Sequence, residues 1–379
     1  MTHPPYAFEV ITDPKRLTGL KDDWDHLYSR QAAPHLSDSF GWAYLSWTLV
    51  TSRRSRRPYC AVVRRDGRAV AILPLLLTPG PLVTVASPMN SESSEYCPCL
   101  LDPDEPPATL RAVLRAGLQS RKDVDALRLP HVRPDTPADQ LIAEFPGARA
   151  TIVQPAPVVR ASDFPAPASY LDWLPADTRA SLRRRRRRLD EAGPAEFEEI
   201  VTTSARLETL AWVLERKREW LLRRGLINDQ LTSKANAEFL SATLRHSWTS
   251  GGCTVFALKL DGMLLAAEVV NVDGARVESF TSTYNPAFDK YAPGHLLTLE
   301  VIRWALERGL DYDFRPGSEP YKLRWSSHVA EVASYLAPLT MRGRCFVGYR
   351  LARRRLAQSA PKALRARASG LARRLWTPR

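Results

Sequence analysis

Two tandem α/β (α+β) units, each a mixed, mostly antiparallel sheet flanked by helices, are the architecture this chain predicts. Three observations carry the prediction. Asp66-Gly67 and Asp261-Gly262 each join two β-rich apolar runs, one pair in each half of the chain. Asp-Gly readily adopts the positive φ values of a two-residue hairpin turn. After the strands of each half comes a helix-like stretch and then a short apolar run, Pro107 to Leu118 before Ala126 to Leu129 and Gly294 to Arg308 before Leu310 to Phe314. Proline-rich Gln154 to Pro167 stands between the halves and reads as a linker.

In chain order, the first half gives a hairpin, Tyr59 to Arg64 and Arg68 to Leu77, then strand candidates at Leu82 to Ala86 and Tyr96 to Leu101. The second half gives a three-strand meander, Cys253 to Leu260, Met263 to Val272 and Ala275 to Tyr284, with Asp273-Gly274 at its second turn. In the helix that follows, Glu300, Arg303 and Glu307 form one polar stripe, and leucine, valine, isoleucine and tryptophan cover the rest. Such a helix is largely buried. Division near Ser162 gives an N-terminal unit over 1–162, a C-terminal unit over 163–345 and a basic amphipathic tail over 346–379. The length of 379 residues agrees with two domains at roughly 150 residues each.

Composition excludes several classes. With 44% hydrophobic and 25% charged residues the chain can bury a sizeable core. Its longest apolar run, Ala69 to Leu77, is broken by Pro74 and falls far short of a membrane span. The first residues show no basic-then-apolar pattern, so a cytoplasmic protein, peripheral to the inner face of the membrane, is expected. Five cysteines, with a lone Cys97-Pro98-Cys99, suit a reducing compartment, and no metal site is expected. Of the net charge of +13, the stretch Arg342 to Arg379 supplies 11 Arg, one Lys and no acid. The remainder is nearly neutral, which argues against a nucleic-acid-binding body.

Pro293 and Gly294 open the buried helix, whose first turn offers backbone N–H groups without intrahelical partners. With the helix dipole they form a candidate phosphate or diphosphate site, and Lys290 and His295 lie nearby. An ordinary helix start has the same punctuation. Strand, strand, strand, loop, helix, strand is the order that places this helix start at the centre of a sheet edge, where ligands collect.

Tyr291-Ala292-Pro293-Gly294, with Asp313-Phe314-Arg315-Pro316-Gly317-Ser318-Glu319-Pro320-Tyr321-Lys322 and Trp325, resembles the GNAT-like acetyltransferases associated with bacterial cellulose and exopolysaccharide biosynthesis, relatives of the Fem aminoacyltransferases. The likeness runs from about Trp24 to about Leu339 and takes in Phe40, Trp42 and the arginine helix Ser181 to Leu189. Pro316 departs from it, since the family usually has arginine before the glycine. The resemblance implies tandem GNAT-like domains and an acyl-CoA co-substrate held by Lys290, Tyr291, Ala292, Pro293, Gly294, His295 and Leu296. It implies Tyr321 as the acid for the departing thiolate and Lys322 as the group that stabilises the oxyanion. Glu278 and Asp313, on adjacent predicted strands, are both candidates for the base. Tyr284, Glu268, Arg185, Arg186 and Trp325 are placed on the substrate side, with Glu268 either solvent-facing or lining a pocket. Asp102, Asp104 and Glu105 precede the corresponding helix of the first half and would repel a diphosphate, so only the second half is expected to bind CoA.

Arg183 to Arg188 lies in a helical stretch that puts Leu182, Arg185, Arg186 and Leu189 on one face, either as snorkelling stems or reaching an anionic acceptor. The tail alternates arginine clusters with Leu351, Leu356, Leu364, Leu371, Leu375 and Trp376, a pattern suited to an anionic membrane surface. The expected activity is transfer of an acetyl or related acyl group from acyl-CoA to a small-molecule or saccharide amine, in polysaccharide or envelope biosynthesis. One alternative is a Fem-like transferase using aminoacyl-tRNA, the only setting in which a nucleic-acid partner is expected. Another is a non-catalytic membrane or polysaccharide-assembly adaptor.

Overall fold

A computed structural model describes residues 6–51, 56–223, 225 and 233–359 of the chain. Its strands are β1 (Ala7–Ile11), β2 (Arg57–Arg65), β3 (Arg68–Pro79), β4 (Thr84–Pro88), β5 (Leu100–Leu101), β6 (Ala126–Val132), β7 (Arg149–Val159), β8 (Ala195–Ile200), β9 (Gly252–Leu260), β10 (Met263–Val272), β11 (Arg276–Tyr284), β12 (Asp311–Asp313) and β13 (His328–Pro338). They form one sheet in the order β1-β2-β3-β4-β6-β13-β7-β12-β11-β10-β9-β8, with β5 beside β3. The helices that matter for the site are α1 (Pro107–Ser120), α2 (Ala176–Asp190), α3 (Thr203–Arg223), α4 (Lys234–Arg245), α5 (Pro293–Leu306), α6 (Pro320–Trp325) and α7 (Met341–Ser359).

The two halves repeat one motif. Four antiparallel strands lead to a parallel pair, β4 with β6 and β11 with β12, with α1 and α5 in the respective crossovers. Both Asp-Gly turns have positive φ at Asp66, Gly67, Asp261 and Gly262, as the hairpin requires. The third turn works differently: the Asp273 carboxylate accepts the Ala275 and Arg276 N–H groups. Most of Tyr96 to Leu101 is loop, since only Leu100–Leu101 pairs, and the strand expected over Leu310 to Phe314 is confined to Asp311–Asp313.

The expected linker is corrected by the structure. Gln154 to Val159 belongs to β7, which pairs with β13 along its length and with β12 at Val158 and Val159. Pro155 and Pro157 occupy alternate positions, so their missing N–H groups share one edge. There their carbonyls accept the Gly317 and Phe314 N–H groups, and no donor is lost to β13. β13, late in sequence, lies between β6 and β7, so each half is completed by a strand from the other and a division at residue 162 does not divide the sheet.

Helix α5 buries Leu296, Leu297, Leu299, Val301, Ile302, Ala305 and Leu306 against β9 to β12. Each large aliphatic side chain contributes about 1.5–3 kcal/mol. This packing fixes the helix start relative to the end of β11. Beside β13 and β6, Leu82, Met341 and Tyr349 are 82%, 68% and 61% exposed around an apolar groove between the 81–83 turn and α7. Among the described residues no helix is long and apolar enough to cross a membrane. The tail leucines from Leu364 onward and Trp376 lie outside the described residues.

Candidate active site

β11 and β12 pair over only three residues, Arg276 to Glu278 with Asp311 to Asp313, and then diverge. The gap opens toward the start of α5, where Ala292, at φ 45°, turns the chain from a short 3-10 segment into Pro293. Pro293 has no N–H, and His295 and Leu296 donate to the Ala292 carbonyl at 3.0 and 3.3 Å. Fewer free donors remain than the sequence suggested. Among the described residues the Gly294 amide is the helical N–H left without an acceptor. A Cβ at Gly294 would lie 3.6 Å from Tyr284 Cδ1, so packing does not demand glycine here, but a larger side chain would project into the cleft.

That cleft is a cavity of about 270 Å3 lined by Gly294, His295, Tyr284, Lys217, Trp220 and Tyr321. A second cavity of about 320 Å3 shares Lys217, Ser282 and Tyr321 with it and continues past Arg315, Glu319 and Lys322 to Glu95 of the first half. The two form one groove from the α5 start, through the gap between β11 and β12, to the junction of the halves. Tyr321 stands at the midpoint.

The structure brings Ala292, Gly294, His295, Tyr284, Tyr321 and Lys322 together along this groove. Arg185, on the same helix face as Arg186, places Nη1 3.4 Å from His295 Nδ1, beside the helix start. Other predicted residues lie elsewhere. Lys290 is exposed, with Nζ 4.8 Å from the Tyr291 ring centre, outside the groove lining. Tyr291, Pro293, Leu296 and Trp325 are buried and shape the wall from behind, Trp325 with its ring 5.6 Å from His295. Arg186 is engaged by Asp190 at 2.9 Å and Glu300 at 3.6 Å, both carboxylates of this chain, so it does not face an acceptor.

The two candidate bases are adjacent, as expected, but neither lines the groove. Glu278 lies behind Arg315, 3.1 Å from its Nε. Asp313 accepts the Tyr96 hydroxyl at 2.8 Å and the Arg315 N–H at 2.7 Å. Glu268 points into the core: its Oε1 accepts the Tyr312 hydroxyl at 2.7 Å and the Ser279 hydroxyl, and its Oε2 has no partner among the described residues. Four groove residues carried no role in the sequence reading. Lys217 lies on α3, Glu95 comes from the first half, and Arg315 and Glu319 lie within the segment Asp313 to Lys322.

Electrostatics separates these groups. Burial, with Glu268 and Glu319, pushes the Tyr321 phenol up to about 12, so it holds its proton at neutral pH. Burial also lowers Lys217, and nearby Lys322 adds to the effect. Burial would raise Glu95, but His131, Arg315 and Lys322 outweigh it and hold the carboxyl at about 2. His295 is lowered by burial and then by Arg185, which favours the neutral ring. Burial raises Glu278 to about 8 against the opposing pull of Arg315. Because this folded value exceeds the ordinary 4.5, stability from the protonated carboxyl is full below about pH 4.5 and is lost as pH rises through about 8. The melting temperature of Glu278→Gln minus that of the parent is therefore expected to increase between pH 5 and 8, and a flat difference would remove the raised carboxyl.

In the first half, Asp102, Asp104 and Glu105 do not present bare charge. Arg30 lies 3.6 and 2.5 Å from Asp102 and Asp104, and Arg65 and the Tyr6 hydroxyl lie 2.8 and 2.6 Å from Glu105. All three carboxylates are thus paired within the first half. Phe8 packs against the C-terminal part of α1, where a Cβ at Gly117 would come within 2.2 Å of it.

Residues 176–323, from α2 into α6, match the family described as acetyltransferase (GNAT) domain, and they hold every groove residue contributed by the second half. The fold is a tandem GNAT-like one, and the acetyltransferase (GNAT) domain match falls on its second half. Among solved structures the chain is similar to FemX, with 14% identity, a TM-score of 0.61 and coverage of 91% of this chain and 100% of that one. It is also similar to the C-terminal domain of a putative lysylphosphatidylglycerol synthetase from Agrobacterium fabrum, with 13% identity, a TM-score of 0.52 and coverage of 89% and 96%. A conserved protein of unknown function from Bacteroides thetaiotaomicron gives 14% identity, a TM-score of 0.51 and coverage of 88% and 99%. At these identities the likeness is one of fold. No curated protein sequence matches the chain. Among the described residues no group of histidine, cysteine and carboxylate side chains could hold a metal ion.

Proposed function

We propose that the protein is an acyl-CoA-dependent N-acyltransferase acting on a small-molecule or saccharide amine, in polysaccharide or envelope biosynthesis. The observation that carries this reading is the continuous groove from the Gly294 amide to Arg315 and Lys322. Gly294 N–H, with the α5 dipole and Arg185 beside it, would hold the diphosphate. Acyl-CoA supplies, when bound, the thioester carbon that an amine attacks. Lys217 and Lys322 line the middle of the groove together with Tyr321. Their charge favours the neutral, nucleophilic form of an incoming amine and stabilises negative charge on a carbonyl oxygen. The Tyr321 phenol, protonated at neutral pH, donates to a sulfur that gains charge as the C–S bond breaks.

Direct attack suits the cysteines too. Burial pushes the Cys60, Cys99 and Cys253 thiols up to about 12, and exposed Cys345 lines the separate apolar groove beside α7. Incubation with radiolabelled acetyl-CoA or with charged tRNA, each with amine acceptors from a cell extract, tests the reading. Label from acetyl-CoA appearing in an amide product is the expected result, and transfer only from tRNA would replace it with an aminoacyl transfer.

We propose an anionic lipid surface as the partner of the C-terminal face. Leu82, Met341 and Tyr349 offer apolar anchors, and the stretch from Arg342 to the end carries 11 Arg, one Lys and no acid. Each such charge contributes about 1 kcal/mol at an anionic surface. The full chain is expected to sediment with phosphatidylglycerol vesicles and not with phosphatidylcholine vesicles, and Leu82→Asp with Met341→Asp is expected to reduce binding at least about tenfold. Equal binding by the double variant, self-association through this face, or no sedimentation would each overturn the proposal.

A further inference from the structure

A third cavity, of about 490 Å3, lies on the opposite face of the sheet from α5 and is separate from the groove. Side-chain alternation explains its position: Tyr312 packs toward α5, and Asp311 and Asp313 turn the other way into this cavity. Its wall combines Arg133, Arg160 and Arg276 with Tyr96, Asp313 and His328.

The charges here are unevenly satisfied. Arg276 has Asp273 3.7 Å from Nε, donates to the Ala33 carbonyl at 3.0 Å and contacts His35. Asp313 is taken by Tyr96 and the Arg315 N–H, and Asp311 accepts the Ala161 N–H at 2.9 Å. Asp135 lines the rim and is exposed. Arg133 and Arg160 have no ion pair and no side-chain hydrogen bond among the described residues. Arg133 is largely buried and rests over the Tyr96 ring at 5.2 Å. The charges of Asp38 and Asp313 lie nearby, but among the described residues no acceptor is hydrogen-bonded to this largely buried guanidinium, and its fork of donors matches an oxyanion in two-point geometry. Arg160, lining the same cavity, adds a second unclaimed fork, and His328 adds a third donor.

We infer that this cavity is a binding site for the oxyanion group of a small ligand, a phosphate or a carboxylate, gripped between Arg133 and Arg160. It is distinct from the diphosphate cradle at Gly294 and does not depend on the acyl-transfer reading. Arg186, one candidate for an anionic acceptor, is occupied by carboxylates, whereas Arg133 and Arg160 are open.

Calorimetric titration of the full chain with inorganic phosphate and with succinate tests the site. Saturable binding of one or both below about 10 mM is expected, and which of them binds identifies the anion class. Arg160→Ala, an exposed position, and Arg133→Gln are each expected to weaken binding at this site at least about tenfold. Absence of saturable binding of either anion would overturn the proposal, as would affinity and stoichiometry that stay unchanged in both arginine variants. If Arg133→Gln does not fold, Arg160→Ala decides alone.

Discussion

Replacing Gly294 by glutamate is expected to weaken acyl-CoA binding by at least about tenfold, or 1.4 kcal/mol, measured by calorimetry against a parent stoichiometry of one per chain. Two effects act in the same direction. The new carboxylate meets the positive end of α5 only if it displaces the diphosphate, and the side chain fills the space the cleft now holds open. The fold should tolerate the change, because a Cβ there meets Tyr284 at 3.6 Å, an ordinary contact. Lys290→Glu separates the contributions. Lys290 is exposed and turned toward Tyr291, so its reversal acts through space across solvent and should change affinity by no more than about threefold. A double variant matching Gly294→Glu alone would confirm that the helix start dominates. Undiminished binding in Gly294→Glu, or two molecules per chain, would place the donor elsewhere.

How far the sequence could lead to this site is visible at individual residues. The Asp-Gly turns, the apolar face of α5 and the Tyr321-Lys322 pair were legible because each is a local pattern with a local cause. Adjacency of Glu278 and Asp313 was legible too, since the order of strands predicts it. Which way they face was not. The face is set by what covers the sheet, and there the cover is the first half, through Tyr96, His35 and Arg133. Composition misled at β7, where prolines that look like a linker fall on alternate positions and fit a strand with a short neighbour. Lys217 was invisible for another reason. It reaches the groove from the middle of α3, and nothing in the spacing of that helix distinguishes it from any other surface lysine.

Tyr321→Phe is expected to lower kcat by about 100-fold or more while leaving the KM for acyl-CoA within about threefold, because it removes a proton donor and keeps the ring. The ring has its own contacts, 6.0 Å from His295 and 6.2 Å from Phe314, and phenylalanine retains them. The residue is 38% exposed and its hydroxyl has no hydrogen bond among the described residues, so the melting temperature should not move. The raised pKa of this phenol sharpens the test. Burial first, then Glu268 and Glu319, push it up, which makes it a weak acid toward a thiolate of ordinary pKa near 8.5. It therefore acts as a hydrogen-bond donor throughout the reaction, and full transfer of its proton is uphill. Two consequences follow. Activity should show no loss below pH 10 assignable to Tyr321 ionisation, since the group titrates near 12. A donor whose leaving thiol is more acidic should also lose much less on Tyr321→Phe, because it depends less on help from the phenol. If instead both donors lose rate equally, or KM rises as kcat holds, Tyr321 positions the donor and the acid must be sought among Lys217 and Lys322.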